Sequence, residues 1–392
     1  MIRLLLSCDE YIYRINGKYY AGSESRKEFL TRYLRVFDKV RYVLRCIDEE
    51  ELKPGRALLE DDRIDVVPVP IFHGPVQYAK SILKVRKSVS GVTGGCDAAI
   101  LRLPSTVGQL ISKEIISKGI PYAVEVVFDA HDGAETANNV IERTLWRVID
   151  RKMRHICKKA DGVSCVTERY LQRRYFSKKA NHFEGSYSTL NLEKSFFSAP
   201  RSFPNKDVLT IAHVDLQIGL HSRKGTDIII RALSKVKKER NITINVMFAG
   251  DDWDNSKEKI MNFAKKYGIE GQVDCPGLLS RTELSSFLDK SDLFVLPTKA
   301  EGLPRVIIEA IAKGLPTITT PVSGNPELIS EDYLVSFYDV DTLADKIERL
   351  VTDKNEYERV SKRNYEHSLQ FEGSILQDRR DEFYRKLKAL TE

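Results

Sequence analysis

Apolar residues recur along this chain in short runs, and two kinds of spacing alternate between them. In the first half, compact apolar runs at 2–6, 40–45, 64–69, 98–101, 122–128 and 162–166 read as buried strands. Between them, apolar positions three and four apart predict helices over 24–35, 76–88, 106–118 and 138–159. The second half repeats this grammar. Strands are predicted at 208–213, 242–249, 273–275, 293–296, 317–320 and 334–337, and helices over 225–238, 256–267 and 303–312. Ser280-Arg281-Thr282-Glu283 has the form of a capping box opening a further helix to Leu288. Pro297 stops one strand, Gly314 closes the helix before it, and from Asp341 onward the chain reads as helix. Such alternation predicts an α/β protein built on doubly wound parallel sheets.

The segment 195–206 holds Pro200 and Pro204, serines, and no apolar periodicity, so it reads as a linker. The expected domains are 1–198 and 206–371, with a last helix at about 372–392 packing back on the first. Two doubly wound domains joined in this way are expected to face each other across a cleft. Ligands of such sheets bind beyond the carboxyl ends of the strands.

Composition narrows the classes. With 392 residues, 42% hydrophobic and 30% charged, the chain can bury two cores and is not broadly disordered. Runs such as 98–101 and 306–308 fall far short of the roughly 20 apolar residues of a membrane span. After Arg3 only a few apolar residues precede Ser7, Cys8, Asp9 and Glu10, where a signal core needs about 7–15. This start reads as a buried strand and predicts a cytoplasmic protein. Cys8, Cys46, Cys96, Cys157, Cys165 and Cys275 form no C-x-x-C pair, so reduced, mostly buried thiols are expected.

Charge is uneven. Residues 1–200 carry 33 Lys+Arg against 25 Asp+Glu, a net of +8, and the remainder carries 29 against 31, a net of −2. The excess concentrates in 141–180, with 12 basic and 4 acidic residues. Such a stripe either attracts a polyanion or an anionic bilayer, or is a solvated helix face.

The most informative stretch is Pro297-Thr298-Lys299-Ala300-Glu301-Gly302-Leu303-Pro304-Arg305-Val306-Ile307-Ile308-Glu309-Ala310, which follows a strand and opens a helix. Glu301 and Glu309 are eight residues apart, about 800° of helical rotation, so they project from similar sides. Gly302 permits close backbone approach, and Pro304 suits the first helical turn. The free amides and positive end of that helix suit a phosphate. Two carboxylates could then grip hydroxyls on either side of a diphosphate, or simply complement the helix terminus.

This E-x7-E within E-G-L-P-x-x-x-x-E-A-x-A-x-G-x-P resembles the signature of retaining GT-B glycosyltransferases, glycosyltransferase family 4. The resemblance implies two Rossmann-like domains facing across a cleft, with a nucleotide-sugar donor on the second and the acceptor on the first. It assigns Glu301 to the hydroxyls of the transferred sugar and Glu309 to the ribose. The backbone of Gly302, Leu303 and Pro304 would lie against sugar and phosphates. Arg223-Lys224-Gly225 is similar to the family's K-G, whose lysine neutralises the diphosphate. The arginine usual five or six residues earlier is missing, those places holding Ile218 and Gly219, so either Arg223 substitutes or the 214–222 loop carries an insertion.

Val246–Asp251 resembles the family's strand-then-glycine loop at Gly250. The 322–327 segment resembles its Gly-Gly-x-x-Glu turn at Gly324, with Ser323 replacing one glycine. Gly22 is a candidate for the acceptor or phosphate loop, with a plain turn as the alternative. Asp129 and His131, after the 122–128 strand, are candidates for orienting the reacting sugar.

No metal or other cofactor is expected, although Asp252-Trp253-Asp254 and Asp339-Val340-Asp341 both read D-x-D. The second is expected to cap the following helix. The implied activity is transfer of a sugar from a nucleoside diphosphate to a glycan or lipid-linked glycan acceptor in bacterial surface polysaccharide synthesis. Nucleic acid is not an expected partner, and an anionic inner-membrane surface is. A nucleotide-sugar epimerase, a pyridoxal-dependent phosphorylase of the same fold, and a non-catalytic nucleotide-binding subunit remain as alternatives.

Overall fold

A computed structural model of the chain describes residues 1–72, 74–137 and 139–392. Asn138, the first residue of the helix expected over 138–159, lies outside the described residues. The molecule divides into two units, Met1–Tyr187 with Gln377–Glu392, and Ser188–Leu376.

The strands of the first unit are β1 (Arg3–Ile15), β2 (Lys18–Ala21), β3 (Lys39–Asp48), β4 (Ala57–Leu58), β5 (Ile64–Pro70), β6 (Ala98–Leu103), β7 (Tyr122–Val126), β8 (Gly162–Cys165) and β9 (Phe183–Ser186). In the order β5-β3-β1-β6-β7-β8-β9 they pair in parallel. Leu4, Leu5 and Leu6 are fully buried, as a central strand covered on both faces requires. The apolar run that predicts β1 ends at Leu6, but the strand continues, shifts register on β3 between Ser7 and Tyr11, and folds back into antiparallel β2. Asn16 and Gly17 make that turn with φ of 50° and 78°. A two-residue type I′ turn needs positive φ at both positions, and Asn-Gly supplies it.

The helices here are α1 (Glu24–Thr31), α2 (Gly74–Ser88), α3 (Thr106–Lys118), α4 (Ala130–Glu135) and α5 (Val140–Lys159). Ser23, Ser105, Asp129 and Asn139 cap α1, α3, α4 and α5 by accepting a main-chain N–H.

At the centre of the first unit, β7 carries Glu125, only 2% exposed. Its carboxylate accepts from the hydroxyls of Tyr33 (3.0 Å), Tyr187 (3.0 Å) and Tyr384 (2.7 Å), and from Arg102 (3.2 Å) and Arg32 (3.4 Å). Tyr384 comes from the last helix, so this one carboxylate fastens the chain's end to its first sheet. Burial alone would raise the carboxyl pKa. The two guanidiniums and the tyrosine hydroxyls outweigh burial and lower it.

The second unit has β10 (Leu209–Gln217), β11 (Ile244–Asp251), β12 (Val273–Gly277), β13 (Leu293–Leu296) and β14 (Thr317–Thr319), parallel in the order β12-β11-β10-β13-β14. Its helices are α6 (Thr226–Arg240), α7 (Ser256–Lys266), α8 (Arg281–Lys290), α9 (Arg305–Ala312), α10 (Asn325–Leu328), α11 (Val340–Thr352) and α12 (Lys354–Ser368). α13 (Gly373–Lys388) follows, and its residues from Gln377 onward belong to the first unit. Ser280 and Glu283 form the expected capping box on α8.

Two expectations fail in this unit. The strand expected at 334–337 is a single bridge, Thr319 to Leu334. The chain turns at once, with the Asp339 amide donating to Ser336 O (3.0 Å), and enters α11. The segment 195–206 is also not a free linker. Arg201 donates to Lys313 O (2.8 Å), Ser291 O (2.7 Å) and Leu288 O (2.9 Å), which ties the segment to the second unit. It is held by polar bonds to carbonyls, which leave no apolar periodicity to read.

Replacing Glu125 by Leu strands buried guanidinium charge and should cost about 3–5 kcal/mol of stability in the first unit. Tyr384→Phe should cost about 1.5–3 kcal/mol, the value of a hydrogen bond to a charged group. Because the folded carboxyl pKa is lowered, its contribution is complete above the unfolded value of about 4.3 and is lost as pH falls through the folded value. Denaturant titrations across acid pH should therefore show wild-type stability falling toward that of Glu125→Leu.

Candidate active site

In a doubly wound sheet, ligands bind where the order of connections reverses, beyond the carboxyl ends of the strands. In the second unit that point lies between β10 and β13, which pair at Ile211–Leu293 and Ala212–Phe294. The loop after β10 carries Lys224 and the loop after β13 carries Glu301, and their side chains form an ion pair, Nζ to Oε1. The side chains are 21% and 14% exposed, so water screens the pair poorly.

The surrounding backbone holds both residues in place. Gly225 adopts φ 74°, and a Cβ there would lie 2.5 Å from Pro297 O, so the Lys224 loop can rest on the β13 loop only with glycine. The Lys299 amide donates to Arg223 O (2.9 Å), a second link between the loops. The Thr298 hydroxyl reaches Glu301 Oε1 (3.2 Å), and the Glu301 amide donates to Ser323 Oγ (3.4 Å). The Gly324 amide donates to Gly302 O (3.0 Å), joining the β14 loop to the β13 loop. Ser323 itself sits at φ 49°, a conformation glycine adopts more readily.

Helix α9 starts at Arg305, with Pro304 (φ −69°, ψ 113°) as the residue before it rather than inside its first turn. Its first intrahelical bonds are those of the Ile307 and Ile308 amides to Pro304 O (3.2 and 3.4 Å), the amides before them have no intrahelical acceptor, and the helix dipole adds partial positive charge there. Two turns in, Glu309 is half-buried, and its carboxylate has no hydrogen-bond or salt-bridge partner among the described residues. Burial raises its carboxyl pKa, and Arg305 and Arg281 offset this only in part. An unpartnered carboxylate with a raised pKa is a mark of a functional site.

Gly250, the last residue but one of β11, has φ 153°, and a Cβ there would lie 2.5 Å from Asp215 O. The Ile218 amide donates to Asp251 O (3.1 Å), so the 214–222 loop leans on the β11 loop. Asp215, which sequence reasoning missed, has its pKa raised by burial, with Lys224 and Arg223 pulling the other way. Its one legible signal was an acid directly following an apolar strand. His213 was also missed. It is fully buried, donates from Nδ1 to Val295 O (2.9 Å), and is held neutral by burial with a pKa near 4.

Lys224, Glu301, Gly302 and Gly324 are thus brought together, with Gly225 and Arg223 beside them. The first unit treats its candidates differently. Asp129 is 1% exposed, and its carboxylate accepts from the His131 amide (2.9 Å) and the Tyr175 hydroxyl (2.7 Å). It is a buried helix cap, not a group presented to a sugar. His131 is partly exposed on α4, with Nδ1 3.9 Å from Asp132 Oδ1. Gly22 follows β2, where a Cβ would make only ordinary contact with the Tyr13 ring (3.5 Å), so nothing there demands glycine. The β1–β2 hairpin lies between the first apolar run and Gly22.

The acids of the D-x-D pairs are engaged by protein groups, Asp341 by Lys235 of α6 (2.5 Å). Asp252 accepts from the Lys257 amide (3.1 Å), Asp254 pairs with Lys259 (2.6 Å), and Asp339 caps α11. Among the described residues, no three His, Cys, Asp or Glu side chains gather as metal ligands would. All six cysteines are free thiols.

Comparison with known proteins bears on this arrangement. Residues 218–367 match the family model described as glycosyl transferases group 1. Protein CapJ of Staphylococcus aureus is 27% identical over 369 residues, covering 90% of this chain and 87% of its own. The putative colanic acid biosynthesis glycosyltransferase WcaL of Escherichia coli K12 is 30% identical over 138 residues, 33% of each chain. The structure of Anabaena HepE in complex with UDP and glucose superposes with a TM-score of 0.66 at 14% identity, covering 97% of this chain and 99% of that one. With two parallel α/β units and a switch point furnished with Lys224 and Glu301, the chain has the GT-B fold, and its residues 218–367 are similar to the group 1 glycosyltransferases.

Proposed function

We propose that this protein is a retaining glycosyltransferase of family 4. It transfers a sugar from a nucleoside-diphosphate donor to a glycan or lipid-linked glycan acceptor in bacterial surface polysaccharide synthesis, without a resident metal. The observation that carries the reading is the Lys224–Glu301 pair at the switch point of the second unit, beside the start of α9. HepE, solved with UDP and glucose, and WcaL, named for colanic acid biosynthesis, support the donor class and the biological setting.

The chemistry follows from the charges. Without donor, Lys224 and Glu301 neutralise each other. A donor diphosphate offers the lysine a stronger partner and a helix N-terminus to rest on. Glu301 is then released toward the hydroxyls of the transferred sugar, and Glu309 accepts from the ribose hydroxyls. The bond from C1 of the sugar to the diphosphate oxygen breaks, and the bond from C1 to the acceptor oxygen forms on the same face. The acceptor's proton passes to the departing diphosphate, so no protein base is needed at that step. Lys224 and the α9 amides stabilise charge that grows on the leaving group, the kind of interaction that lowers a barrier.

Removing one such stabilising group typically costs on the order of 10²–10³ in kcat. Lys224→Met should show a loss of that size in nucleoside-diphosphate release from a panel of nucleotide sugars with a glycan acceptor. Glu301→Ala should lose turnover to a similar degree while still binding free nucleoside diphosphate. Full turnover in either variant would overturn the assignment.

Glu309 generates a pH prediction. Its ionised form accepts from both ribose hydroxyls, and its pKa is raised, so nucleoside-diphosphate affinity should weaken on acidification earlier than an ordinary carboxylate would cause. Calorimetric titration with UDP, GDP, ADP and CDP should show this limb in the wild type, and Glu309→Gln should bind more weakly and without it.

A further inference from the structure

We infer that the outer face of α5 is a docking surface for an anionic lipid bilayer. This deepens the reading above by placing the enzyme where a lipid-linked acceptor resides. The inner side of α5 is spent on the core through Met153, Ile156 and Cys157. The outer side is not. Val140 (73%), Ile141 (76%), Leu145 (37%) and Val148 (45%) stand exposed to solvent.

Ile141, Leu145 and Val148 follow at i, i+4 and i+7, a single apolar stripe along the helix. At 100° per residue the same line continues through Lys152 and Lys159. Arg143, Arg147, Arg151 and Lys158 are exposed as well. None of these basic side chains has an acidic partner within salt-bridge distance among the described residues, so their charge faces water uncompensated. Of the helix's two acids, Asp150 is buried and bonded to Arg154 (2.8 Å) and the Tyr175 hydroxyl (3.0 Å), and Glu142 is only partly exposed.

Helix α2 repeats the chemistry, with Leu83 76% exposed among exposed Lys80, Lys84, Arg86 and Lys87. It links β5 to β6 and α5 links β7 to β8, crossings in the same direction along the sheet. Right-handed crossovers therefore put both helices on one face.

The combination selects the partner. A soluble polyanion would use the lysines and arginines and leave the apolar stripe in water. A second copy of this chain would set like charge against like. A bilayer with anionic headgroups satisfies both, as interfacial helices do. Among the described residues no helix is long and apolar enough to cross a membrane, so the contact is with the membrane surface.

The test is co-sedimentation of the full chain with extruded vesicles at low salt. One set is phosphatidylglycerol with phosphatidylethanolamine, and the other is phosphatidylcholine alone. The protein should pellet with the anionic vesicles at least tenfold more strongly than with the neutral ones. Each basic side chain at such a surface strengthens binding roughly fivefold, so Arg147→Glu with Arg151→Glu should weaken it by about 25-fold or more. The exposed triple variant Ile141→Ser, Leu145→Ser, Val148→Ser should also weaken it, with an unchanged melting temperature. No binding to anionic vesicles would overturn the inference. So would full binding by the triple variant, or equal displacement by dextran sulfate whether or not the apolar stripe is present, since these outcomes mark a plain polyanion site. Nucleoside-diphosphate binding by the same samples reports separately on the transferase reading.

Discussion

The hydrogen-bonded ladder between β10 and β13 is the constraint on which the second unit's chemistry depends. Two strands whose paired residues lie 82 apart in the chain pair in parallel, and a parallel strand must hand its chain on at the carboxyl end. At this pair the connections leave in opposite directions, one toward β11 and the other toward β14. The two loops therefore open side by side with no helix between them. Lys224 and Glu301 meet because of that geometry, and neither residue's local sequence mentions the other.

Glycines then set how close the loops can come. Gly225 rests against Pro297 O, and Gly250 against Asp215 O, both at distances that exclude a Cβ. The arrangement keeps charged groups of both signs close together in a poorly screened place. Asp215, Lys224, Glu301 and Arg223 balance one another, while Glu309 stands apart and half-buried with its pKa raised. A ligand carrying two negative phosphates and several hydroxyls would answer these groups together, which is why the charge pattern, more than the shape, carries the reading.

The first unit uses charge in the opposite way. Glu125 is surrounded by guanidiniums and tyrosine hydroxyls and is closed to solvent, so its charge serves cohesion between β7 and the last helix. Asp129 is similarly absorbed by Tyr175 and a helix cap. Both are acids on or just after a central strand, the position in which a sequence reader looks for catalysis. Their burial and their partners make them structural, while Arg143, Arg147, Arg151, Lys152, Lys158 and Lys159 on α5 have no acidic partner within salt-bridge distance among the described residues.

Much of this protein was legible in its sequence where physics is local. The strand and helix periods, the Ser280 capping box, the Asp339 cap and the glycine and proline stops depend on neighbours within a few residues, and apart from the strand expected at 334–337 they lie where the pattern put them. The E-x7-E segment was readable for the same reason, since strand, glycine and helix start are contiguous. What depends on distant partners was not. The β1 extension and hairpin hid behind a polar stretch, although Asn16–Gly17 carried its turn signal. The 195–206 segment looked free because Arg201 holds it through carbonyls. The fates of Asp129 and Asp215 rested on Tyr175 and Lys224, one 46 residues away and the other across a loop. Sequence determined which elements form and which side chains are chemically able. Only tertiary structure decided which of those side chains are spent on one another and which are left to meet a ligand, because burial and pairing are properties of the assembled neighbourhood.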